Sequence, residues 1–138
     1  MHVERIEIFP FRIPFWQPFH FAGREVRERF GLLIRLDDGA GHVGLGEVVV
    51  RPGQAVPNVD SALIEAVRNA AVPPLVRPGV ECAVLDLRAR AAGVPLAALL
   101  GSVRRDRIPV NATLGRFDPR EAAEEARRSV VQGFGCIK

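Results

Sequence analysis

The stretch IPVNATLGRFDPREAAEEARRSVVQGFGCIK (residues 108–138) decides the fold. Its first seven residues are an apolar run and read as a strand. The helix that follows is well signed. Asp118 is placed to cap it, Pro119 sits at its first position, Glu121 completes a capping box and Gly133 closes it. Glu124 and Arg128 are spaced as an i,i+4 ion pair on the solvated side. FGCIK then begins a second strand. Strand, helix of about four turns, strand is the pattern of a parallel crossover unit.

Upstream the pattern differs. Residues 3–9 alternate as a strand. Residues 13–26 carry Pro14 and Pro18 among four aromatic side chains, so a loop is expected there. Residues 29–38 and 42–50 read as strands around a DDGAG turn, which completes a three-stranded antiparallel meander. Helical spacing follows at residues 58–71, with Ala62, Ala66, Val67 and Ala70 near one stripe and Asn58, Asp60 or Ser61 as the cap. A second helix, residues 79–93, places Val80, Val84, Leu87 and Ala91 on one face and ends at Gly93. A short helical turn lies at residues 94–101. The predicted fold is an α+β domain, a three-stranded antiparallel meander plus helices, over residues 1–105. The first β-α-β unit of a TIM-like barrel follows over residues 106–138, with the boundary near SVRRDR (residues 102–107).

Composition narrows the class. The chain has 138 residues, 48% apolar and 25% charged, as in a globular domain with a real core. A net charge of +3 and a pI near 9.6 raise nucleic-acid binding. The arginines, however, are scattered among Asp and Glu, and the aromatics are not interleaved with them, so no nucleic-acid partner is expected. No apolar run is long enough for a membrane span, and the N-terminal residues carry charges inside their apolar part. A cytoplasmic protein with no membrane partner is the expectation.

Several short motifs have dull readings. GAGHVG (residues 39–44) has the spacing of a dinucleotide fingerprint, but a strand follows it rather than a helix, so its glycines are assigned to a hairpin turn. NAT (residues 111–113) has glycosylation spacing without a secretion signal. His2, His20 and His42 lack metal-ligand spacing, and the Arg104-Arg105 and Arg127-Arg128 pairs read as solvated charge. Cys82 and Cys136 lie far apart among apolar neighbours and are expected to be buried thiols.

The order of elements resembles the enolase superfamily, in its muconate-lactonizing and o-succinylbenzoate synthase branch. GHVGLGEVVV (residues 41–50) is similar to the family's G-x-x-G-x-G-E stretch. ECAVLDLRARAAGVPLAALLG (residues 81–101) is similar to its A-x-x-D-L-x-x-x-x-x-G-x-P-L-x-x-L-L-G segment. GFGCIK resembles the run into its Lys-x-Lys motif, and PVNATLG (residues 109–115) resembles the first barrel strand of o-succinylbenzoate synthases. The stretch between residues 47 and 81 is shorter than in many members.

The resemblance implies an N-terminal capping domain plus the opening of a barrel, with the chain looking truncated. It implies a Mg²⁺-dependent enzyme that abstracts a proton next to a carboxylate of a small-molecule substrate, with the metal ligands beyond residue 138 and none in this chain. O-succinylbenzoate synthase, a lyase of menaquinone biosynthesis, is the first expectation. A muconate-type cycloisomerase and an N-acylamino acid or dipeptide racemase are the alternatives, and a non-catalytic α+β binding module is the reading from another class. A homo-oligomer is left open.

By position, two capping loops would meet the substrate. The first contributes Phe19, Phe21 and Arg24, with Arg24 suited to a substrate carboxylate. The second contributes Val49 and Arg51. Asn111 and Thr113 would contribute from the first barrel strand. The aromatics of the first loop either line the barrel mouth or pack the cap onto its helices.

Lys138 is the catalytic candidate. Of 19 basic residues it is the only lysine, and it matches the first position of Lys-x-Lys. Arginine stays protonated near neutral pH, whereas a lysine amine can carry a proton in both directions. A coding bias toward arginine would spare a lysine that chemistry protects.

Overall fold

The computed structural model describes residues 2–21, 23–115 and 118–138, with Phe21 described by its backbone alone. The chain forms two compact units. The first comprises Met1–Ile13 and Arg29–Val103, the second Pro14–Glu28 and Arg104–Lys138.

The first unit is built on an antiparallel sheet of β1 (Arg5–Phe21), β2 (Arg24–Asp37) and β3 (Val43–Val50), in that order. Alternation sets its faces. Leu32, Ile34 and Leu36 of β2 are fully buried or nearly so, while Leu33 between them is exposed. In β3, Gly44, Gly46, Val48 and Val50 point inward, and Leu45, Glu47 and Val49 point outward. The register pairs Ile34 with Gly46 and Leu32 with Val48. Burying each large aliphatic side chain contributes about 1.5–3 kcal/mol.

On the other face, Arg5, Glu7, Arg35 and Asp37 form a ring of ion pairs. Arg35 pairs with Glu7 and, at 3.1 Å, with Asp37, and Arg5 reaches Asp37 at 3.5 Å. These groups are partly solvated, so the ring adds little to stability.

Within the loop expected at residues 13–26, residues 13–21 and 24–26 are instead strand. β1 runs unbroken to Phe21 through Pro10, Pro14 and Pro18. Proline is tolerated there because β1 is an edge strand, where a missing N–H leaves no ladder partner unpaired. The Glu4 N–H bonds Asp37 O at 2.8 Å.

Three helices follow in this unit. In α1 (Ser61–Arg68), Asp60 is the cap, its side chain accepting from Leu63 N at 3.0 Å. Its buried residues are Leu63 and Val67, whereas Ala62 and Ala70 of the expected stripe are exposed. α2 (Arg77–Ala91) starts two residues earlier than expected and buries Gly79, Val80, Ala83 and Leu87, with Ala91 exposed. It ends at Gly93, whose φ of +67° is the left-handed closure expected of that glycine. α3 (Leu96–Leu100) follows Pro95 as a single short helix.

α2 lies directly on β3, and the glycines permit it. A Cβ on Gly46 would stand 1.9 Å from Gly79 O, and one on Gly44 2.1 Å from Ala83 O. Asp86 then accepts the Leu45 N–H at 2.9 Å while also holding Arg90 Nε at 3.0 Å. The edge of β3 is thereby capped by the helix that covers it.

The β2–β3 turn uses Asp37 and Asp38. Asp37 Oδ1 accepts from Gly39 N, and Asp38 Oδ1 accepts from Ala40 N and His42 N, all at 2.9–3.0 Å. Gly39 and Gly41 supply the positive φ values of +74° and +98°. The fingerprint-like glycines thus divide their work between a turn and a helix–strand contact. Both cysteines are exposed, against the expectation of buried thiols. The stripe of α2 that faces the sheet passes through Ala83, which turns Cys82 outward, and Cys136 lies on an exposed strand face.

The second unit holds the end of the β1–β2 hairpin and a β-α-β segment. α4 (Pro119–Val131) is capped by Asp118, whose Oδ1 accepts from Arg120 N and Glu121 N at 2.9 and 3.0 Å. Gly133, with φ +92°, follows its end. Glu124 and Arg128 are not ion-paired to one another among the described residues. They border a depression with Gln17 and Glu121. The two flanking strands are shorter than expected, with a single parallel bridge at Ala112 and Ile137. Ile108 and Val110 join no ladder and are exposed.

Candidate active site

Three backbone hydrogen bonds fix the chemistry-bearing face of the second unit. Ala112 N donates to Cys136 O at 2.9 Å, Lys138 N to Ala112 O at 2.8 Å, and Leu114 N to Lys138 O at 2.8 Å. In a parallel ladder this pattern pairs Ala112 with Ile137 and Thr113 with Lys138. Side chains alternate, so Asn111, Thr113, Cys136 and Lys138 share one face, and Ala112, Leu114 and Ile137 share the other. Burial agrees, since the first four are exposed and the last three half-buried.

Asn111 Nδ2 donates to Thr113 Oγ1 at 3.2 Å and makes a longer contact with Ala112 O at 3.4 Å. The Lys138 amine has no polar partner among the described residues. The structure therefore brings three expected site residues, Asn111, Thr113 and Lys138, onto one patch. Cys136 belongs to the same patch and was missed. Strand alternation from Lys138 is the signal that would have found it.

Phe19 lies in the same unit. The Phe19 ring packs over Gly115, where a Cβ would stand 2.5 Å from it, and His20 N donates to Gly115 O at 3.2 Å. Phe15 and Phe19 rings lie 6.3 Å apart, tilted by 51°. Trp16 is 97% exposed. The aromatics thus divide, with Phe15 and Phe19 packed and Trp16 in solvent. The Phe21 side chain lies outside the described residues. Arg24 is exposed at the start of β2, after Gly23 with φ +74°.

In the first unit, Val49 points outward from β3. Arg51 begins a turn closed by Gln54, with Arg51 N to Gln54 Oε1 and Gln54 N to Arg51 O both at 3.0 Å. Among the described residues no three His, Cys, Asp or Glu side chains converge as a metal site. The described residues therefore do not make a site for a Mg²⁺ ion. No helix is long and apolar enough to cross a membrane.

No family model matches the sequence. Over 160 positions covering 99% of the chain, it is 29% identical to the L-Ala-D/L-amino acid epimerase of Populus trichocarpa, of which it spans 38%. The structure superposes on a substrate-liganded L-Ala-D/L-Glu epimerase from Bacillus subtilis with a TM-score of 0.82 and 25% identity, covering 99% of this chain and 44% of that one. It superposes on a muconate lactonizing enzyme from Pseudomonas fluorescens, complexed with muconolactone, with a TM-score of 0.73 and 26% identity over 92% of this chain and 41% of that one.

In sequence and fold, the chain is similar to members of the enolase superfamily.

Its α+β meander and helices match the capping domain of enolase-superfamily structures. A dipeptide epimerase from Methylococcus capsulatus, complexed with Mg and the dipeptide L-Arg-D-Lys, shares the fold at a TM-score of 0.80 and 24% identity. The chain spans less than half the length of these superfamily relatives. The poplar alignment runs some twenty positions beyond this chain's own length, in the direction expected of a shortened stretch between residues 47 and 81.

Proposed function

We propose that the complete protein is a dipeptide or N-acylamino acid epimerase of the enolase superfamily, with Lys138 as one of two lysines flanking the proton-transfer site, the first of a Lys-x-Lys pair whose second lysine is the principal base. The substrate class rests on the relatives. Three sequence relatives that align over 99–100% of this chain are epimerases by name. That favours the racemase alternative over o-succinylbenzoate synthase, which is not among the relatives named here. A muconate-type cycloisomerase is the second reading, supported by the muconate lactonizing enzyme above.

The observation that carries the assignment of Lys138 is its place. The only lysine of the chain stands on the exposed face of the last strand, paired with Thr113 and free of any polar partner among the described residues. Epimerisation removes the proton next to a carboxylate from one side and returns one from the other. A free lysine amine on one side takes that proton and its ammonium form returns it in the reverse direction, and Lys138 supports that exchange from the neighbouring position. Mg²⁺, when bound by the complete enzyme, would stabilise the negative charge that develops on the carboxylate. The residues present here offer it no ligand set.

In this reading Phe19 lies against the substrate's side chains, Phe21 is a further candidate for that role, and Arg24 meets a substrate carboxylate. Val49 and Arg51 close from the second capping loop, while Asn111 and Thr113 stand beside the amine. The test is Lys138→Arg in the complete enzyme, assayed by exchange of the substrate α-proton in deuterated water. The variant keeps the charge and loses the tunable amine, so kcat is expected to fall at least tenfold, the low side of an acid–base group's contribution. Wild-type kcat in that variant overturns the assignment of Lys138.

A further inference from the structure

We infer that the groove between α1 and α2 is a binding site for a small apolar zwitterion, a free amino acid or short peptide with an aliphatic side chain. The inference concerns the first unit and does not depend on the reading of Lys138. A cavity of about 500 Å³ lies there, within the range of small-molecule sites. Val67 of α1, Val72 after it, and Val80, Val84 and Leu85 of α2 form its walls. Val67, Val72 and Val80 are buried, and Val84 and Leu85 are half-buried. A smaller cavity of about 200 Å³ shares Val67, Val80 and Val84 with it.

The rim gives the ligand its chemistry. Arg77 and Glu81 stand there, four residues apart on α2. That is the spacing of a helical ion pair, but arginine before glutamate is the weaker order. Among the described residues the two do not pair. Glu81 has no hydrogen-bond or ion-pair partner there, and Arg77 makes one long contact, Nη2 to Val72 O at 3.4 Å. The rest of its guanidinium fork is open to a carboxylate. A lone anion at Arg77 would meet the Glu81 charge, a lone cation at Glu81 would meet Arg77, and an uncharged ligand would use neither. A zwitterion satisfies both, with its carboxylate on Arg77, its ammonium on Glu81 and its aliphatic side chain among the valines. Side chains four apart on a helix start about 5–6 Å from one another. Two residues of extended chain span about 7 Å, so the termini of a dipeptide reach both groups. Two long, flexible side chains can also close on the shorter separation of a single amino acid.

Local backbone features keep the groove open. Ala70 follows α1 with φ +58°, a left-handed conformation that a residue with a Cβ takes at a cost, and it lines the cavity. Its turn leads the chain into Val72, on the opposite wall from Val84. Glu81 ends the stretch that is shorter here than in many superfamily members. Arg77 and Glu81 are both exposed, so a ligand meets them from solvent.

The test titrates the 138-residue chain with L-leucine, L-Leu-L-Leu and N-acetyl-L-leucinamide, followed by ¹H–¹⁵N chemical shifts. Saturable shifts within residues 67–85 are expected with the zwitterions, at a Kd of about 1 mM, as one buried aliphatic side chain and two solvated charge contacts imply. Tighter binding of L-Leu-L-Leu assigns a peptide and tighter binding of L-leucine a free amino acid, and either supports the inference. The leucinamide, which lacks both charges, is expected to bind at least about fivefold more weakly. Equal binding of all three, or no saturable shift with any, overturns the inference. Arg77→Ala and Glu81→Ala, at exposed positions, are each expected to weaken the zwitterions about threefold to fivefold. Unchanged affinity in both overturns it. Val84→Trp is expected to abolish binding by filling the cavity, and if that variant does not fold the two rim variants decide. Lys138→Ala is expected to bind as the wild type does. Loss of binding in that variant would place the ligand in the second unit and overturn this inference while leaving the proposed role of Lys138 intact. In the complete enzyme the dependence on Arg77 is expected to persist. Its absence there would mean that the rest of the chain occupies the groove, and would overturn the inference.

Discussion

Gly46 shows how a residue with a functional-looking pattern is explained by packing. It follows GAGHVG, and its neighbours read as strand. What stands near it is the Gly79 carbonyl of α2, 1.9 Å from where a Cβ would be. Both contact atoms are backbone, so neither side can swing aside. Gly46→Ala is therefore expected to push α2 off β3 and destabilise the fold by about 1–3 kcal/mol or more, the usual range for overpacking. Urea unfolding of the variant checks this, and an unchanged midpoint would mean that the helix rides higher than this contact requires. The same residue marks a limit of the sequence. Alternation assigned Gly44 and Gly46 to a strand, but nothing in one sequence says which helix will press on them. Asp86 is a similar case. Its place in a D-L pair was legible, whereas its capping of Leu45 N–H joins residues 41 positions apart.

At the level of elements, local chemistry was the most legible. Asp118, Pro119 and Gly133 bound α4, and Asp60 caps α1, because caps depend only on neighbours in the chain. The long hairpin was misread because proline and aromatics outweighed alternation, while the edge position that excuses proline is a property of the sheet. The β2–β3 turn adds a pH dependence. The His42 ring nitrogen first, then the N–H groups of Ala40 and His42, hold the Asp38 carboxyl below its ordinary value of 3.8, against partial desolvation that raises it. A carboxyl with a lowered folded value contributes stability that is complete above the unfolded value and lost as pH falls through the folded one. The chain is thus expected to lose stability below about pH 3.8, and Asp38→Asn to lessen that loss. Urea midpoints measured from pH 5 down to pH 2.5 give the two slopes, and parallel slopes would exclude Asp38 as a source.

Across the described residues, several carboxylates are already committed. Asp37 lies in the ring with Arg5 and Arg35, Asp38 closes a turn, Asp60 and Asp118 cap helices and Asp86 holds β3 to α2. Glu7 is paired with Arg35. A Mg²⁺ site needs hard oxygen ligands arranged near an octahedron, and it strips water reluctantly, so isolated surface carboxylates do not make one. No three candidate ligand side chains converge among the described residues. The face that carries Lys138 offers an amine, a hydroxyl, an amide and a thiol, which suits a proton carrier and its support rather than a hard cation. Calorimetric titration of Mg²⁺ into the 138-residue chain is therefore expected to show no saturable site, and its melting temperature is expected to be the same with and without millimolar Mg²⁺. A stoichiometric site with micromolar affinity would overturn this account and would mean that some of these aspartates leave their present partners to bind the ion.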